Sequence, residues 1–205
     1  MQEIRPKLLL LSNAEQVGEA RLLDCYNRCC ELAKAGSVLV VLRDPELSVQ
    51  ERLRLGEKLR RLTRATGQLL SVRDRLDLAM LLDSDALHLG ESSILPERVR
   101  DAVGERFWLS RAWHDLSRTP PEHTDAYLLS PVCAPRKNHA AVGLLNFAQF
   151  CGKHTTKSVF ALGGVDAQNA AACLRAGAVG VAVMGAIMRD ESPATLLSAL
   201  GILKA

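Results

Sequence analysis

Eight short apolar segments alternate with eight helical patterns along this 205-residue chain. Periodicity predicts strands near residues 8–12, 38–43, 68–72, 85–89, 106–110, 125–130, 158–163 and 179–184. It predicts helices over roughly 14–35, 48–65, 75–83, 96–103, 114–118, 143–153, 166–176 and 192–203. Several strands are apolar throughout, as in a parallel sheet that is covered on both faces. Eight consecutive β/α repeats predict a closed (β/α)8 TIM barrel.

The alternation continues without a linker or a break in composition, so we expect residues 1–205 to form a single domain. The competing architecture is an open, doubly wound sheet. Dinucleotide-binding sheets of that kind carry their glycine-rich loop after the first strand. Here the glycine-rich turns come last, which favours the barrel.

Two glycine-ended strands near the end of the chain predict a phosphate site. Residues 160–165 read Phe-Ala-Leu-Gly-Gly-Val, and residues 180–187 read Gly-Val-Ala-Val-Met-Gly-Ala-Ile. Backbone amides without side chains, followed by a helix N-terminus, can bind an anion. TIM barrels often hold phosphate after strands 7 and 8, which here means Gly163, Gly164, Met184 and Gly185. The alternative is that Gly163 and Gly164 form only a tight turn.

Basic and polar residues follow the other predicted strands and would converge on the same rim of the barrel. They predict an anionic small-molecule ligand and comprise Arg43, Arg73, Ser130, Arg136 and Lys137. The longest of these loops, residues 130–141, could close over an anion. Its alternative is an ordinary basic surface loop.

Composition argues against several other classes of function. The formal net charge is +3, but acids and bases alternate on helical patterns, as in residues 51–61, which is typical of solvated helix faces. Aromatic residues make up 4% of the chain, too few for stacking single-stranded nucleic acid. The apolar run at residues 8–11 is too short for a membrane segment. Six cysteines without a Cys-x-x-Cys pair indicate reduced thiols and a cytoplasmic protein.

A resemblance to a known family extends over essentially the whole chain. It is carried, in order, by Asp74-Arg-Leu-Asp-Leu-Ala79, Asp85-Ala-Leu-His-Leu-Gly90, Tyr127-Leu-Leu-Ser-Pro-Val132, Ala161-Leu-Gly-Gly-Val165 and Ala176-Gly-Ala-Val-Gly-Val-Ala-Val183. The sequence resembles the thiamine phosphate synthase and thiazole tautomerase (TenI) superfamily. The resemblance implies a phosphorylated thiazole-like substrate and makes a homodimer possible, while the composition argues against a nucleic-acid or membrane partner.

The synthase branch joins an aminopyrimidine pyrophosphate to a phosphorylated thiazole and releases pyrophosphate, normally with Mg²⁺ and basic side chains. This chain departs from the family pattern at that end of the site. Arg73 stands where the family has asparagine, and Glu91 and Ser93 stand where it has glutamine and aspartate. Asp74 is therefore left as an incomplete magnesium site, unless Glu91 completes it. The resemblance makes Mg²⁺ possible but implies no cofactor firmly.

The tautomerase branch uses a histidine after strand 5 to move a proton, and His114 matches it. Imidazole suits that role because its pKa of about 6.5 is close to neutrality. The favoured hypothesis is therefore metal-independent proton transfer with His114 as the acid/base. The alternatives are a synthase with an altered pyrophosphate site, in which Arg43, Arg73 and Lys137 replace the metal, a non-catalytic phosphate-binding protein, and a barrel for another ligand.

Overall fold

A computed structural model describes residues 5–136, 139–189 and 193–204. Eight parallel strands form a closed barrel in chain order, which confirms the predicted (β/α)8 fold. The strands are β1 Leu8–Leu11, β2 Val38–Leu42, β3 Leu69–Arg73, β4 Ala86–Leu89, β5 Trp108–Trp113, β6 Ala126–Leu129, β7 Ser158–Leu162 and β8 Gly180–Val183. The helices of the described ranges are α1 Ala14–Val17, α2 Glu19–Leu32, α3 Val49–Thr66, α4 Leu76–Leu81, α5 Pro96–Val103, α6 Gly143–Lys153, α7 Ala170–Arg175, α8 Gly185–Arg189 and α9 Ala194–Ala199.

The segment after β5 differs most from the prediction. The predicted helix over 114–118 is wrong, because β5 continues to Trp113 and the chain then runs without regular structure to β6. The Asp115 carboxylate accepts hydrogen bonds from the Ser117 amide at 2.9 Å and from the Ser117 hydroxyl at 2.6 Å. Such a local side-chain turn competes with helical hydrogen bonding. Strand 5 therefore carries its following residue, His114, to the rim of the barrel.

Two other predicted helices differ from the structure in their extent. The helix predicted over 14–35 is interrupted at Gly18, whose φ of +80° is outside the helical region. The helix predicted over 192–203 begins later, at Ala194. A short helix, α8, precedes it directly after β8 and was not predicted. Residues 190–192 lie outside the described ranges.

Side chains of the strands alternate between the barrel interior and the layer beneath the helices. Leu9, Val41, Leu128 and Phe160 pack together inside the barrel, whereas their strand neighbours join the larger core that contacts the helices. Because the period of a strand is two, residues just beyond the strand ends continue this alternation. Arg43, two residues after Val41, therefore shares the interior register at the barrel mouth.

Ion pairs at the amino ends of the strands fix helices to the barrel. Asp85 accepts a hydrogen bond from the Leu70 amide at 2.8 Å and pairs with Arg60 of α3 at 2.7 Å. Asp125 repeats the arrangement with the Leu109 amide at 2.7 Å and Arg100 of α5 at 2.8 Å. These carboxylates lie at the end of the barrel opposite the predicted site, so they contribute to stability.

Over the described ranges, no helix is both long and apolar enough to cross a membrane.

The six cysteines are all free thiols. The Cys133 and Cys173 sulfur atoms lie 3.7 Å apart. Burial raises the pKa of Cys133, so its thiolate is disfavoured and the loop cysteine is a poor nucleophile.

Candidate active site

Two arginines follow neighbouring strands at the barrel mouth. The β2–β3 register pairs Val41 with Ser71, so Arg43 and Arg73 lie at the same level on adjacent strands. Arg73 donates from Nε to Asp74 Oδ2 at 3.0 Å, and a third of its side chain is exposed. The structure thus brings together two of the basic residues that the sequence predicted.

Arg43 is positioned by a buried polar cluster beneath it. Its amide donates to Ser12 Oγ at 2.8 Å, and Ser12 donates in turn to the Asp44 carboxylate. Asp44 is 3% exposed and also accepts from the Ala14 amide at 2.5 Å. Asp44 therefore ties the loops after β1 and β2 together, which orders the backbone that carries Arg43.

The charge of the Arg43 guanidinium is offset only through space, by Asp44 and Glu46. It makes no ion pair with a described residue, and its Nε is buried without a hydrogen-bond partner. Burial lowers the pKa of Arg43, and the positive charges of Arg73 and Arg136 lower it further. Arginine nevertheless stays protonated in proteins, so Arg43 carries its charge close enough to Arg73 and Arg136 to be affected by both.

Asp74 is engaged by a network of protein donors, although 36% of its side chain is exposed. Its Oδ1 accepts from the Gly90 amide at 2.9 Å and from the Ser93 hydroxyl, while Oδ2 accepts from Arg73. Burial opposes ionisation, but the hydrogen bonds from Ser93 and Gly90 and the charge of Arg73 lower the pKa of Asp74. The carboxylate is therefore ionised, with two donors on Oδ1 and the Arg73 guanidinium on Oδ2.

This donor set does not fit a magnesium ion. Mg²⁺ requires near-octahedral oxygen ligands, normally including one or two available carboxylates. The carboxylate of Asp74 is already engaged by three donors, one of them a cation. Within the described residues, no group of three His, Cys, Asp or Glu side chains could hold a metal.

His114, which follows β5, forms a pair with Glu91, which follows the neighbouring strand β4. Its Nδ1 lies 2.5 Å from Glu91 Oε2, and both side chains are roughly 30% exposed or less. The His139 ring stacks on the His114 ring, with centroids 5.4 Å apart. Glu91 therefore orients His114 instead of adding a carboxylate to Asp74. An oriented, partly exposed imidazole can transfer a proton to or from a bound molecule.

The loop that carries Glu91 is held by Arg111 of β5. Arg111 donates to the carbonyl of Glu91 at 2.7 Å and to that of Ile94 at 3.0 Å, and it is 3% exposed. Its role is to fix the β4–α5 loop in place. Trp113 is also buried, at 3% exposure, so it packs in the core.

His88 is a packed residue beneath the site. It is 4% exposed, and its Nδ1 lies 2.9 Å from Ser110 Oγ. Burial, with a further contribution from Arg73, lowers the pKa of His88 to about 3. The ring is therefore neutral at physiological pH and cannot act as a base that cycles near neutrality.

The glycine turn after β7 is shaped by the loop that follows β6. Gly163 and Gly164 both have positive φ, at +94° and +71°. A Cβ on Gly163 would lie 2.8 Å from Pro131, and one on Gly164 would lie 2.6 Å from the Ala134 amide nitrogen. No described residue accepts a hydrogen bond from the two glycine amides. They remain available for a ligand oxygen.

Gly185 faces different neighbours from Gly164. It lines a cavity of about 240 Å³ between β8 and the helices after β1, together with Asn13, Gln16, Val17, Arg21, Met184 and Met188. Arg21 donates to the Met188 carbonyl at 2.7 Å and closes one side of this cavity. The two glycine turns follow neighbouring strands, but a shared grip on one phosphate stays a prediction.

The loop after β6 contributes Ser130 and Arg136. Ser130 is 6% exposed, and its amide donates to the Trp113 carbonyl at 3.0 Å. Its hydroxyl oxygen lies 3.5 Å from the position that a Cβ on Gly163 would take. Arg136 exchanges backbone hydrogen bonds with His139, which folds this loop back on itself. Lys137, also predicted to bind an anion, lies outside the described residues.

Two functional contacts were missed by the sequence reasoning. The Glu91–His114 pair was missed because Glu91 was considered only as a metal ligand. Since these residues follow neighbouring strands, strand order would have placed them together. The stacking of His139 depends on the folding of a long loop, for which the sequence has no periodic signal.

Comparison with known proteins gives this barrel a family. A family model described as thiamine monophosphate synthase matches residues 8–187. The thiamine-phosphate synthase of Roseiflexus castenholzii is 30% identical over 197 residues, which cover 93% of this chain and 85% of that protein. The fold and mouth define a (β/α)8 barrel with a basic, glycine-lined site. The chain belongs to the thiamine monophosphate synthase family.

Other similarities differ in coverage or concern the fold alone. The thiamine-phosphate synthase of Nostoc sp. is 32% identical over 164 residues, which cover 78% of this chain and 47% of that protein. This chain thus spans about half the length of the cyanobacterial relatives it matches. The structure of thiamine phosphate pyrophosphorylase from Pyrococcus furiosus superposes with a TM-score of 0.81 at 20% identity, covering 97% of this chain and 96% of that one. This likeness shows the same fold.

Proposed function

We propose that this protein catalyses the thiamine phosphate synthase reaction, in which an aminopyrimidine pyrophosphate is joined to a phosphorylated thiazole and pyrophosphate is released. Family membership supports this reaction more strongly than the tautomerase hypothesis that the sequence favoured. The observation that carries the proposal is the division of the mouth into two anion-binding sides. Arg43 and Arg73 follow β2 and β3, and Arg136 acts electrostatically on Arg43, whereas the unused amides of Gly163 and Gly164 follow β7.

Each side suits one of the two substrates. The arginine side would bind the pyrophosphate and stabilise the charge that develops as this group leaves. Guanidinium groups suit the task because they bind phosphate oxygens in a bidentate way. The glycine turn would bind the single phosphate of the thiazole through backbone amides. When the anionic groups of the two substrates are held apart in this way, the reacting atoms of both substrates lie in the space between these groups.

The proposal is tested by incubating the enzyme with both precursors and measuring thiamine phosphate by chromatography. We expect product, and we expect Arg43→Gln to lower kcat/KM by about 100-fold or more. The matched control is Arg64→Gln, because Arg64 lies on α3, is 61% exposed and pairs with Asp83. The control should react like the wild type. Absence of product at high enzyme concentration would refute the proposal.

A second candidate function, proton transfer on a thiazole, is favoured by the Glu91–His114 contact of 2.5 Å. A carboxylate that orients an imidazole and stabilises its charged form is a frequent feature of acid/base catalysts. His114 would then move a proton on a thiazole carboxylate phosphate, with the phosphate at the glycine turn. No metal is required for this step.

The second candidate is tested by following aromatisation of the thiazole tautomer. We expect His114→Ala to lower the rate by about 100-fold or more if His114 is the acid/base. The control is His123→Asn, because His123 precedes β6 at the other end of the barrel and asparagine tolerates its positive φ of 62°. Equal turnover in His114→Ala and the wild type would exclude this role.

A further inference from the structure

The Arg73 guanidinium binds the carboxylate of Asp74, which is the group that a metal at this point of the mouth would bind. Its Nε donates to Asp74 Oδ2 at 3.0 Å, and the other oxygen of Asp74 accepts from Gly90 and Ser93. A divalent cation that bound this carboxylate would either displace Arg73 or lie beside its positive charge. The pair therefore holds a fixed cation at this point of the mouth.

Arg73 retains N–H groups for a ligand. Only its Nε is used by Asp74, and a guanidinium carries five N–H donors in a planar fork. Its Nη2 lies 2.9 Å from the position that a Cβ on Gly90 would take. The missing side chain of Gly90 thus makes room for the guanidinium. Since a third of the side chain is exposed, the free donors can reach a bound anion.

Arg43 adds a second cation from the adjacent strand, and Arg136 adds a third from the loop after β6. Neither side chain makes an ion pair with a described residue, and Arg43 Nε is buried without a partner. Like charges that face each other cost free energy unless an anion lies between them. Asp74 pairs with Arg73, and the charges of Asp44 and Glu46 offset part of the repulsion at Arg43, but the effects of burial and of the two other arginines on Arg43 are larger.

We propose that Arg73, clamped by Asp74, takes the place of a divalent metal, so that Arg43, Arg73 and Arg136 bind the diphosphate group directly and without Mg²⁺. This inference deepens the proposed function and rests on it for the identity of the diphosphate as a substrate group. The anion site itself is a property of the arginines, so it can be tested with inorganic pyrophosphate alone.

The test is calorimetric titration of the full chain with inorganic pyrophosphate in a chelator and in millimolar Mg²⁺. We expect the wild type to bind in the chelator and to gain no affinity from Mg²⁺. Arg73→Gln should bind about 10- to 100-fold more weakly, because it loses charge-assisted hydrogen bonds. The matched control is Arg75→Gln, whose arginine pairs with Asp77 at 2.5 Å and should bind like the wild type.

A second variant tests the replacement of the metal directly. Arg73→Asn combined with Ser93→Asp removes the fixed cation and adds a carboxylate next to Asp74, with which Ser93 is already in contact. We expect this double variant to bind pyrophosphate only when Mg²⁺ is present. Binding in the chelator as tight as that of the wild type would show that Arg73 does not replace the metal.

Other outcomes separate this inference from the proposed function. Wild-type binding of pyrophosphate that requires Mg²⁺, or unchanged binding by Arg73→Gln, would overturn the inference even if thiamine phosphate is formed. Conversely, metal-free binding of pyrophosphate by an enzyme that forms no thiamine phosphate would support the arginine site and refute the synthase reaction.

Discussion

At the scale of single residues, the turn after β7 has a backbone conformation and a packing that require glycine at position 164. Gly164 combines a positive φ with a close approach to Ala134, so neither the backbone nor the space suits a side chain. A second residue, His88, lies beneath the mouth, and burial lowers its pKa so that its ring is neutral. Both residues yield predictions that a single substitution can test.

Gly164→Ala should weaken binding of a phosphorylated thiazole and reduce stability. An alanine at a φ of +71° costs about 1 kcal/mol, and its Cβ would displace the backbone of Ala134. The measurement is the shift in Tm that the ligand causes in each variant. Gly152→Ala is the control, because Gly152 is helical with open space around it and should gain up to about 1 kcal/mol. An undiminished ligand-induced shift in Gly164→Ala would contradict the role of this turn.

His88 should make the protein less stable in mild acid. Its pKa is about 3 in the folded protein and about 6.5 when unfolded, so only the unfolded chain gains a proton as the pH falls below 6.5. The free energy of unfolding should therefore drop by about 2 kcal/mol from this group between pH 7 and pH 5. Urea unfolding of the wild type and His88→Gln at both pH values measures the difference. An equal loss in the two proteins would show that His88 is not buried and neutral.

At the scale of elements, the two ends of the strands are held in place by different kinds of contact. The loops at the mouth are ordered by Asp44, Arg111 and the Asp74 network, whereas the amino ends are held to helices by aspartate–arginine pairs. The candidate site and the stabilising ion pairs thus lie at opposite ends of the same strands, as in other barrels of this type.

Asp85→Asn should lower stability without changing binding at the mouth. Arg60 has a side chain that is 14% exposed, so loss of Asp85 leaves this largely buried guanidinium with only the more distant Asp83 carboxylate, at 3.9 Å. We expect a loss of about 1–3 kcal/mol in the free energy of unfolding. Asp77→Asn is the control, since that carboxylate is 57% exposed and should change stability by about 0.5 kcal/mol or less. Denaturant titration measures both, and equal stabilities would contradict the structural role of Asp85.

At the scale of the whole molecule, the barrel could be predicted because its signal repeats eight times. Strand and helix order follow from alternation alone, and the rim residues follow from the strand ends. The extent of β5 could not be predicted, because the turn at Asp115 and the alternation in Trp108–Trp113 give competing local signals. Periodicity does not determine which of several polar neighbours a side chain pairs with. The sequence therefore did not predict the Glu91–His114 and Arg73–Asp74 pairs.

The most direct test of this account is a crystal structure of the protein soaked with inorganic pyrophosphate in the presence of a chelator. The account predicts pyrophosphate between the guanidinium groups of Arg43, Arg73 and Arg136, with the Arg73–Asp74 pair intact. Pyrophosphate bound elsewhere, or bound at this place only through a metal ion on Asp74, would contradict it.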